Sequence, residues 1–410
     1  MVGLEIARTL VGAVALAAGK VSPLDKKFKI ARRLCGPFPE GPCLWMHGAS
    51  LGECKMLLGL AERLRSDFPD LPRILITTQK AEVESFLKPL AARVRVSVSI
   101  APLDTRRGME TFMETAKPQM LVLAENELWP GFLSSMGNRF DKPSVALLSG
   151  RFYRCLSTAD FDSIGFVSMQ TDADLGRLMA ADDYLLSAKA IVGGDWKLLP
   201  WAASGGKISE GGEKSVDTAF LSFHREEAKA LLEMLGQATR VGESAVLAPR
   251  FETDVPFFRR ALAERNIPAV EWPAVKRGAV SLVTVYGKIS EVLKAARSSV
   301  VGGSFARTLG VHDFWESLRM GVPTCIGPYC RGQREAIRRL KSERAIAQIL
   351  KPSDYAGREF PPAENVERFL SREREKILAS YRAFGRFVET VLKRNGNLDG
   401  SMQKGSRNLI

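Results

Sequence analysis

The sequence predicts an α/β protein made of two doubly wound domains, each a parallel sheet with helices on both faces. Short apolar, β-rich runs alternate with helical patterns along the chain, which is typical of parallel sheets. A length of 410 residues with 45% hydrophobic residues is enough for two cored domains and short for three. Residues 199–215, rich in glycine and serine, interrupt the alternation and are predicted to be an interdomain linker.

The remaining boundaries follow from where the strand pattern begins and ends. Residues 36–198 are predicted to form the first domain and residues 216–362 the second. Residues 363–395 have a helical pattern, and residues 396–410 form a polar tail that we expect to be mobile. Two domains of this kind leave a cleft where their strand ends face each other, and we expect a ligand to bind there.

The strands themselves are identified as short apolar runs between turn residues. Helical patterns at 54–65 and 106–115 separate several of them. The predicted strands are residues 43–47, 73–77, 94–100, 119–124, 144–149, 165–169, 188–192, 218–223, 244–248, 280–283, 298–301 and 324–326.

The first 35 residues combine an apolar stretch with a basic segment. Residues 2–18 are mainly apolar but contain Glu5 and Arg8, whereas a spanning helix needs about 20 predominantly apolar residues. The basic residues follow the apolar core instead of preceding it, which is unlike a signal peptide. Two interpretations stay open: a helix that lies on an anionic membrane surface, or a helix that packs on the first domain.

Composition narrows the classes of partner. Lys and Arg outnumber Asp and Glu by 59 to 46, giving a net charge of +13, which suits an anionic partner. Low aromatic content argues against single-stranded nucleic acid, and we predict no nucleic-acid partner. The chain has only three histidines, so a histidine-based metal site is not expected. The cysteines lack metal-type spacing and are expected to be reduced thiols: Cys35, Cys43, Cys54, Cys155, Cys325 and Cys330.

Residues 43–53 run from an apolar strand through a small-residue turn into an amphipathic helix. This pattern places Glu53 in the first helical turn at the mouth of a sheet, where ligands bind in open α/β folds. A carboxylate there can accept a proton from a substrate hydroxyl. Ser50 and Glu53 also match a capping box, which is the favoured interpretation of the segment taken alone.

The same segment matches a second pattern, the nucleophile elbow of α/β-hydrolases, in which Ser50 would be the nucleophile. Glu127 with His224 or His312 would then complete a triad. The elbow follows the first recognisable strand, whereas a hydrolase usually needs earlier strands to supply its oxyanion loop. That position disfavours the hydrolase.

Two acids stand at the end of the predicted strand 119–124. Glu125 and Glu127 lie two residues apart, so in an extended chain their side chains point the same way. Neighbouring carboxylates raise each other's pKa unless a cation separates them. Such a pair favours a functional role over a structural one, although solvated loop acids are the alternative.

Glycine-rich and basic segments follow other strands. Gly193 and Gly194 precede Asp195-Trp-Lys197, where backbone amides and a lysine can meet an anion. Pro249-Arg250 ends a strand and exposes an arginine suited to phosphate or carboxylate. Both patterns also occur in ordinary linkers and surfaces.

The last cluster follows the predicted strand 298–301. Residues 302–304, Gly-Gly-Ser, close that strand, and His312, Asp313 and Glu316 fall within about one helical turn at the start of the next helix. A helix N-terminus attracts phosphate, and Glu316 is suited to ribose hydroxyls. Ordinary first-turn acids are the alternative.

Taken together and in order, these segments resemble the 3-deoxy-D-manno-octulosonic acid (Kdo) transferases, from the N-terminal helix to about residue 340. That family has the GT-B fold, with two Rossmann-like domains and an interdomain cleft. The matching segments are His47–Glu53, Glu125–Pro130, the glycine–lysine segment ending at Lys197, Ala248–Arg250, Gly302–Ser304, His312–Glu316 and Gly327–Pro328.

The resemblance implies an inverting, metal-independent glycosyltransferase without cofactor that moves Kdo from CMP-Kdo to a lipid A precursor. It also implies a peripheral, monotopic enzyme on the cytoplasmic face of the bacterial inner membrane, bound to an anionic membrane surface through its N-terminal segment. The partners it implies are therefore the nucleotide-sugar donor, the lipid acceptor and the membrane.

The resemblance also assigns roles to residues. Glu53 matches the family's general base, and Glu127, Glu125 and Lys197 match positions that stabilise the transition state. The substrate-binding positions that we expect are Ser50, Gly52, Arg151, Pro249, Arg250, Tyr286, Gly287, Lys288, Gly303, Ser304, His312, Asp313 and Glu316.

This chain departs from the family pattern at four positions in or near the predicted site. Asp195 and Asp313 stand where Asn is usual, Lys288 where Glu is usual, and Phe251 where His is usual. An acid near a nucleotide phosphate is unfavourable unless a cation compensates, so the donor pocket is expected to differ. The rival functions are a GT-B transferase with another nucleotide sugar, a serine hydrolase, and a non-catalytic membrane or nucleic-acid binder.

Overall fold

A computed structural model provides the structure, and it describes residues 29–151, 161–181, 189–208, 214–285 and 287–395. The N-terminal apolar stretch, Cys155, Tyr286 and the predicted tail lie outside the described residues. No helix in the described ranges combines the length and apolarity needed to cross a bilayer.

The chain divides into two compact units. The first unit comprises Met1–Ser204 together with Glu373–Ile410, and the second unit comprises Gly205–Arg372. The sequence prediction set residues 363–395 apart as C-terminal helices, whereas the structure has a single helix, Ala363–Arg394, whose residues from Glu373 onward group with the first unit. Phe384 of this helix is buried and packs edge-on against Trp196, which explains the grouping.

The first unit contains a seven-stranded, fully parallel sheet. Its order is 3-2-1-4-5-6-7 by strand number. All residues of the first and fifth strands are buried, as parallel sheets covered on both faces require. The strands are β1 Cys43–His47, β2 Arg73–Thr78, β3 Val96–Ile100, β4 Pro118–Ala124, β5 Val145–Gly150, β6 Ile164–Met169 and β7 Ala190–Val192.

Helices connect and cover these strands, and their starts carry the expected capping residues. Ser50 caps the helix after β1, and Thr105 Oγ1 accepts a hydrogen bond from Gly108 N at the start of the helix after β3. The helices are α1 Ile30–Cys35, α2 Leu51–Asp67, α3 Ala81–Arg93, α4 Arg106–Ala116, α5 Pro130–Arg139, α6 Asp172–Ala181 and α7 Leu199–Ala203.

The second unit repeats this architecture with another seven-stranded parallel sheet. Its strand order is 10-11-9-8-12-13-14. The strands are β8 Val216–Phe223, β9 Ala245–Pro249, β10 Ala269–Glu271, β11 Val280–Leu282, β12 Ala296–Val301, β13 Thr324–Ile326 and β14 Ala347–Gln348. The helices are α8 Ala228–Arg240, α9 Val255–Glu264, α10 Ile289–Ala295, α11 Trp315–Arg319, α12 Arg334–Ser342 and α13 Ala363–Arg394.

The α/β prediction is confirmed, and each predicted strand has its counterpart in one of the two sheets. The prediction missed the two edge strands of the second sheet, Ala269–Glu271 and Ala347–Gln348, because they are very short and only partly buried. It also began the linker too early: residues 199–203 form α7, with Leu199 and Ala202 fully buried.

Candidate active site

In each sheet the strand order reverses beside the first strand of the unit, and the predicted site residues gather at both of these points. In the first sheet the reversal lies between β1 and β4. Glu53 follows β1, and Glu125 and Glu127 follow β4. Loops that leave adjacent strands in opposite directions open a crevice at the carboxyl edge, which is where open α/β sheets bind ligands.

Glu53 forms the predicted capping box and is nearly buried, with 9% of its surface exposed. Ser50 Oγ donates to Glu53 Oε1 at 2.6 Å, and Ala49 N donates to Glu53 Oε2 at 2.8 Å. Burial raises the pKa of Glu53, and the nearby Glu125 raises it further, against the opposing hydrogen bonds from Ser50 and Ala49. A carboxylate with a raised pKa is a better proton acceptor near neutral pH.

Glu125 is held by two cations. Lys197 Nζ donates to Glu125 Oε1 at 2.8 Å, and Arg151 Nη2 donates to the same oxygen at 3.0 Å. The backbone of Glu125 is left-handed, with φ of 51°. Strain of that kind concentrates at functional sites. This cluster confirms that Glu125 is a paired carboxylate and not a solvated loop acid.

The Lys197 ammonium lies beside the first turn of α2. A Cβ built on Gly52 would be 3.6 Å from Lys197 Cε and 3.9 Å from Nζ. Burial would lower the pKa of Lys197, but Asp195 and Glu125 outweigh it and raise that pKa. Lys197 is therefore a fixed positive charge close to the Ser50–Glu53 turn.

Asp195 fixes the backbone conformation at Lys197. The buried Asp195 carboxylate accepts from Lys197 N at 3.1 Å and from Ser149 Oγ at 3.3 Å. It thereby caps the short 3₁₀ helix Trp196–Leu198. Asp195 is thus a structural cap with the Lys197 cation nearby.

Glu127 has a different environment from Glu53. Trp129 Nε1 donates to Glu127 Oε2 at 2.7 Å, and His47 Nε2 lies 3.4 Å from the same oxygen. Burial would raise the pKa of Glu127, but the contacts with His47 and Trp129 outweigh it and lower that pKa. The pKa values of the two acids are therefore pushed in opposite directions, as is typical of carboxylate pairs with different roles in proton transfer.

His47 lies at this site, although the sequence analysis predicted no specific role for it. Its ring is fully buried, and its Nδ1 lies 2.9 Å from Thr77 Oγ1. His47 ends β1 and thus stands at the carboxyl edge of the sheet beside Glu127. Its place directly before the Gly48 turn was the only available signal.

With Glu53 as the predicted general base, the rate of the predicted transfer reaction should depend on pH. A base must be deprotonated, so activity should rise with pH through the pKa of Glu53, above the ordinary glutamate value of 4.5. In Glu125→Gln the negative charge that raises this pKa is gone, so the acid limb of the pH–rate profile should move to lower pH. The measurement is kcat/KM against pH, with Glu110→Gln on the exposed face of α4 as the control. An unmoved acid limb in Glu125→Gln would contradict the coupling.

Gly48 permits the turn that positions Glu53. A Cβ at Gly48 would lie 2.9 Å from Glu53 Cβ. Gly48→Ala should therefore displace the first turn of α2, cost about 1–3 kcal/mol of stability and reduce turnover. The control is Gly176→Ala in α6, where an added Cβ meets nothing within 4 Å and should be stabilising by about 0.4–1 kcal/mol. Urea denaturation measures the stability of both variants, and transfer assays measure their turnover. Wild-type turnover in Gly48→Ala would contradict the role of Gly48 in positioning Glu53.

In the second unit, the strand order reverses between β8 and β12. His224 follows β8, and its Nε2 lies 2.7 Å from Nε2 of His312, with the rings stacked. Burial, Arg250 and His224 together lower the pKa of His312 to about 3. Pro249 ends β9, and Arg250 donates its backbone N–H to Phe223 O at the end of β8. These residues thus share the carboxyl edge of the second sheet.

Two residues predicted to contact the donor, Gly303 and Ser304, make hydrogen bonds within the protein. Ser304 is fully buried, and its Oγ donates to Val301 O and accepts from Gly327 N, both at 2.7 Å. Gly303 donates its backbone N–H to the buried carboxylate of Glu227 at 2.8 Å. The polar groups that we expected to contact substrate therefore hold the loop itself.

The helix predicted at His312 begins later than expected. It starts at Trp315 and has five residues, because Asp313 Oδ1 accepts from Trp315 N at 3.0 Å and closes the turn. Asp313 is exposed and Glu316 half-buried. The prediction that His312, Asp313 and Glu316 share one turn of this helix was wrong, because only Glu316 lies inside it.

The remaining predicted contacts gather around the start of α10. Glu316 Oε1 accepts from Ser290 Oγ at 2.7 Å, and Lys288 Nζ donates to Glu291 Oε2 at 2.8 Å. Gly287 is left-handed, with φ of 86°, a conformation that favours glycine. Tyr286 lies outside the described residues, so its predicted role stays a prediction, as does the cleft between the domains.

Within the residues that the structure describes, no group of three or more His, Cys, Asp or Glu side chains is arranged to hold an ion.

Residues 23–181 match the family model described as 3-Deoxy-D-manno-octulosonic-acid transferase (kdotransferase). A 3-deoxy-D-manno-octulosonic acid transferase from Chlamydia pneumoniae is 24% identical over 325 residues, which are 73% of this chain and 72% of the relative. One from Aquifex aeolicus is 25% identical over 290 residues, 70% of this chain and 76% of the relative.

Among solved structures, one from Listeria monocytogenes assigned as a UDP-N-acetylglucosamine 2-epimerase has a TM-score of 0.50. The two chains are 11% identical, and the match covers 87% of this chain and 97% of the Listeria chain. This similarity concerns the fold alone. Two α/β units with seven-stranded parallel sheets give the chain its GT-B fold. Residues 23–181 match the family model of the Kdo transferases, and the chain is similar to curated Kdo transferases over most of its length.

Proposed function

We propose that this protein is a glycosyltransferase that moves Kdo from CMP-Kdo to a lipid A precursor such as lipid IVA, with inversion and without a metal ion. One observation carries the proposal: Glu53, a carboxylate with a raised pKa, stands at the reversal point of the first sheet beside the Glu125–Lys197 pair. Glu53 and Glu125 lie inside the region that matches the Kdo transferase family. The names of the curated relatives support the sugar.

The proposed chemistry follows from the environments of these groups. Glu53 accepts the proton of an acceptor hydroxyl while that oxygen bonds to the anomeric carbon of Kdo. The bond from this carbon to the phosphate oxygen of CMP breaks, and the bonding electrons leave with CMP. Attack on the face opposite the leaving group inverts the anomeric centre, so no covalent sugar–enzyme intermediate forms. Lys197 and Arg151 contribute positive charge near the developing negative charge.

The second unit supplies the donor-binding residues in this proposal. Arg250, His312 and Glu316 lie at or next to the carboxyl edge of its sheet, where the strand order reverses. The guanidinium of Arg250 suits a phosphate, and the Glu316 carboxylate suits ribose hydroxyls. Phe251 is half exposed beside Arg250, so the donor pocket has an aromatic ring where the family usually has a histidine.

The net charge of +13 supports a location at an anionic lipid surface. We place the enzyme peripherally on the cytoplasmic face of the inner membrane, where a lipid A precursor is accessible. Binding to liposomes with anionic lipids, weakening steeply with salt, is the expected behaviour.

The direct test of the proposed function is incubation of the protein with CMP-Kdo and lipid IVA, read by mass spectrometry. We expect lipid products heavier by whole Kdo residues, formed equally in the presence of EDTA. Thermal shift with CMP, UDP and GDP distinguishes the donor: CMP alone should stabilise the protein. Stabilisation by UDP or GDP instead, with no Kdo product, would favour a transferase for another nucleotide sugar.

A serine hydrolase is less well supported. The Ser50 hydroxyl donates to Glu53 Oε1 and accepts from Glu53 N, so within the described residues its recorded partners all belong to Glu53. A nucleophilic serine would instead give its proton to a base such as histidine. Labelling of Ser50 by a fluorophosphonate probe would reverse this preference.

A further inference from the structure

Glu227 is a buried carboxylate that the proposed reaction does not use. It is 1% exposed and ends the 3₁₀ helix Arg225–Glu227, which follows β8. Three backbone N–H groups donate to it: His224 N to Oε2 at 3.0 Å, Gly303 N to Oε2 at 2.8 Å, and Phe305 N to Oε1 at 3.0 Å. Hydrogen bonds to a carboxylate are stronger than those between neutral groups.

These donors come from two different loops. His224 belongs to the loop after β8, whereas Gly303 and Phe305 belong to the loop after β12. The two strands are neighbours and flank the reversal of strand order in the second sheet. Glu227 therefore ties together the two loops that open the crevice at that edge.

The loop after β12 has little freedom to adjust. Gly303 is left-handed, with φ of 76°, and a Cβ there would lie 2.2 Å from Gly310 O and 2.9 Å from His312 Cδ2. His312 N donates to Gly302 O at 3.1 Å. The position of the His312 ring thus depends on the backbone that Glu227 holds, and His224 is anchored directly.

The geometry points to Glu227 as a positioning residue for the donor site. Its carboxylate fixes both loops, which sets the separation of the His224 and His312 rings at the place where the phosphate and sugar of a nucleotide sugar would bind. This inference rests on the proposed function, since it concerns the same donor. Glu227 acts through the two loops and does not itself touch the ligand.

The test is Glu227→Gln. The amide offers one acceptor oxygen, while its NH₂ group faces N–H donors, so at least one of the three hydrogen bonds is lost. We expect the Kd for CMP, measured by calorimetry, and the KM for CMP-Kdo to rise about 10- to 100-fold, with kcat at saturating donor and the KM for lipid IVA little changed.

A second readout reports on the rings directly. Because the protein has only three histidines, its imidazole NMR signals are few. Replacing each histidine in turn with glutamine removes one signal and so assigns it. In the wild type, His312 should stay neutral to low pH because its pKa is about 3. In Glu227→Gln the rings should separate and the pKa of His312 should rise.

The matched control is Glu243→Gln in the same unit, where the carboxylate accepts from Arg358 and Tyr355 at the opposite end of β9. It should lower the melting temperature without changing the CMP Kd or the His312 signals. Should Glu227→Gln fail to fold, Glu227→Asp keeps the charge but shortens the reach, and the same donor weakening is expected.

Wild-type CMP affinity and wild-type His312 signals in a folded Glu227 variant would overturn the inference while leaving the proposed function intact. A wild-type protein that neither binds CMP nor forms a Kdo product would defeat both. The two failures are therefore distinguishable.

Discussion

Glu53→Gln is expected to slow Kdo transfer by about 10²- to 10⁴-fold, the usual contribution of a positioned general base. Glutamine can still complete the capping box with Ser50, so the start of α2 should survive. What the variant loses is the ability to accept a proton. Single-turnover transfer with saturating enzyme measures the chemical step, and calorimetry with CMP should show unchanged donor binding.

The control separates the loss of a base from the loss of a helix cap. Thr105→Ala removes the cap of α4 in the same unit and should cost about 1 kcal/mol of stability with no effect on the chemical step. A Glu53→Gln variant that turns over at the wild-type rate would refute the assignment of Glu53 as base.

Lys197→Met should have the second-largest effect. The ammonium lies beside the first turn of α2 and pairs with Glu125 at 2.8 Å. Removing one fixed charge that stabilises developing negative charge typically costs about 10²- to 10³-fold in rate. The variant also leaves Glu125 with Arg151 as its remaining side-chain partner among the described contacts.

Lys189→Met is the matched control, because Lys189 donates to the backbone oxygen of Ile164 in the same unit and has no place in the proposed chemistry. Single-turnover rates of both variants, together with their melting temperatures, give the comparison. Equal rates in the two variants would show that Lys197 is a structural residue only.

Much of the fold was predictable from the sequence because each interior strand is a short apolar run between turn residues. Burial on both faces makes such strands almost wholly apolar, and β1 and β5 are of this kind. The edge strands β10 and β14 are two or three residues long and partly exposed, so their sequences lack this signal.

The sequence predicted the short motifs of the candidate site. It did not predict which distant residues would contact each other there. The Ser50–Glu53 capping box is a four-residue pattern, and the structure contains it. The Lys197–Glu125 contact joins residues 72 positions apart, and the His224–His312 contact joins residues 88 apart. Such contacts follow from the strand order of the sheets, which no local pattern encodes.

Local sequence patterns also did not predict the contacts of Ser304 and Glu227. Gly-Gly-Ser after a strand is typical of phosphate loops, yet the Ser304 hydroxyl is used by Val301 and Gly327. Glu227 follows another acid in the chain and resembles an ordinary first-turn residue. Its contacts with Gly303 and Phe305 depend on the pairing of β8 with β12.

The pH–rate profile of single-turnover Kdo transfer, recorded for the wild type and for Glu53→Gln, decides whether Glu53 is the group that accepts the proton. We predict an acid limb in the wild type, with rate rising as one group loses its proton above the ordinary glutamate pKa of 4.5. In the variant the rate should be low and this limb absent. A variant that keeps the same limb and a comparable plateau would show that another group accepts the proton.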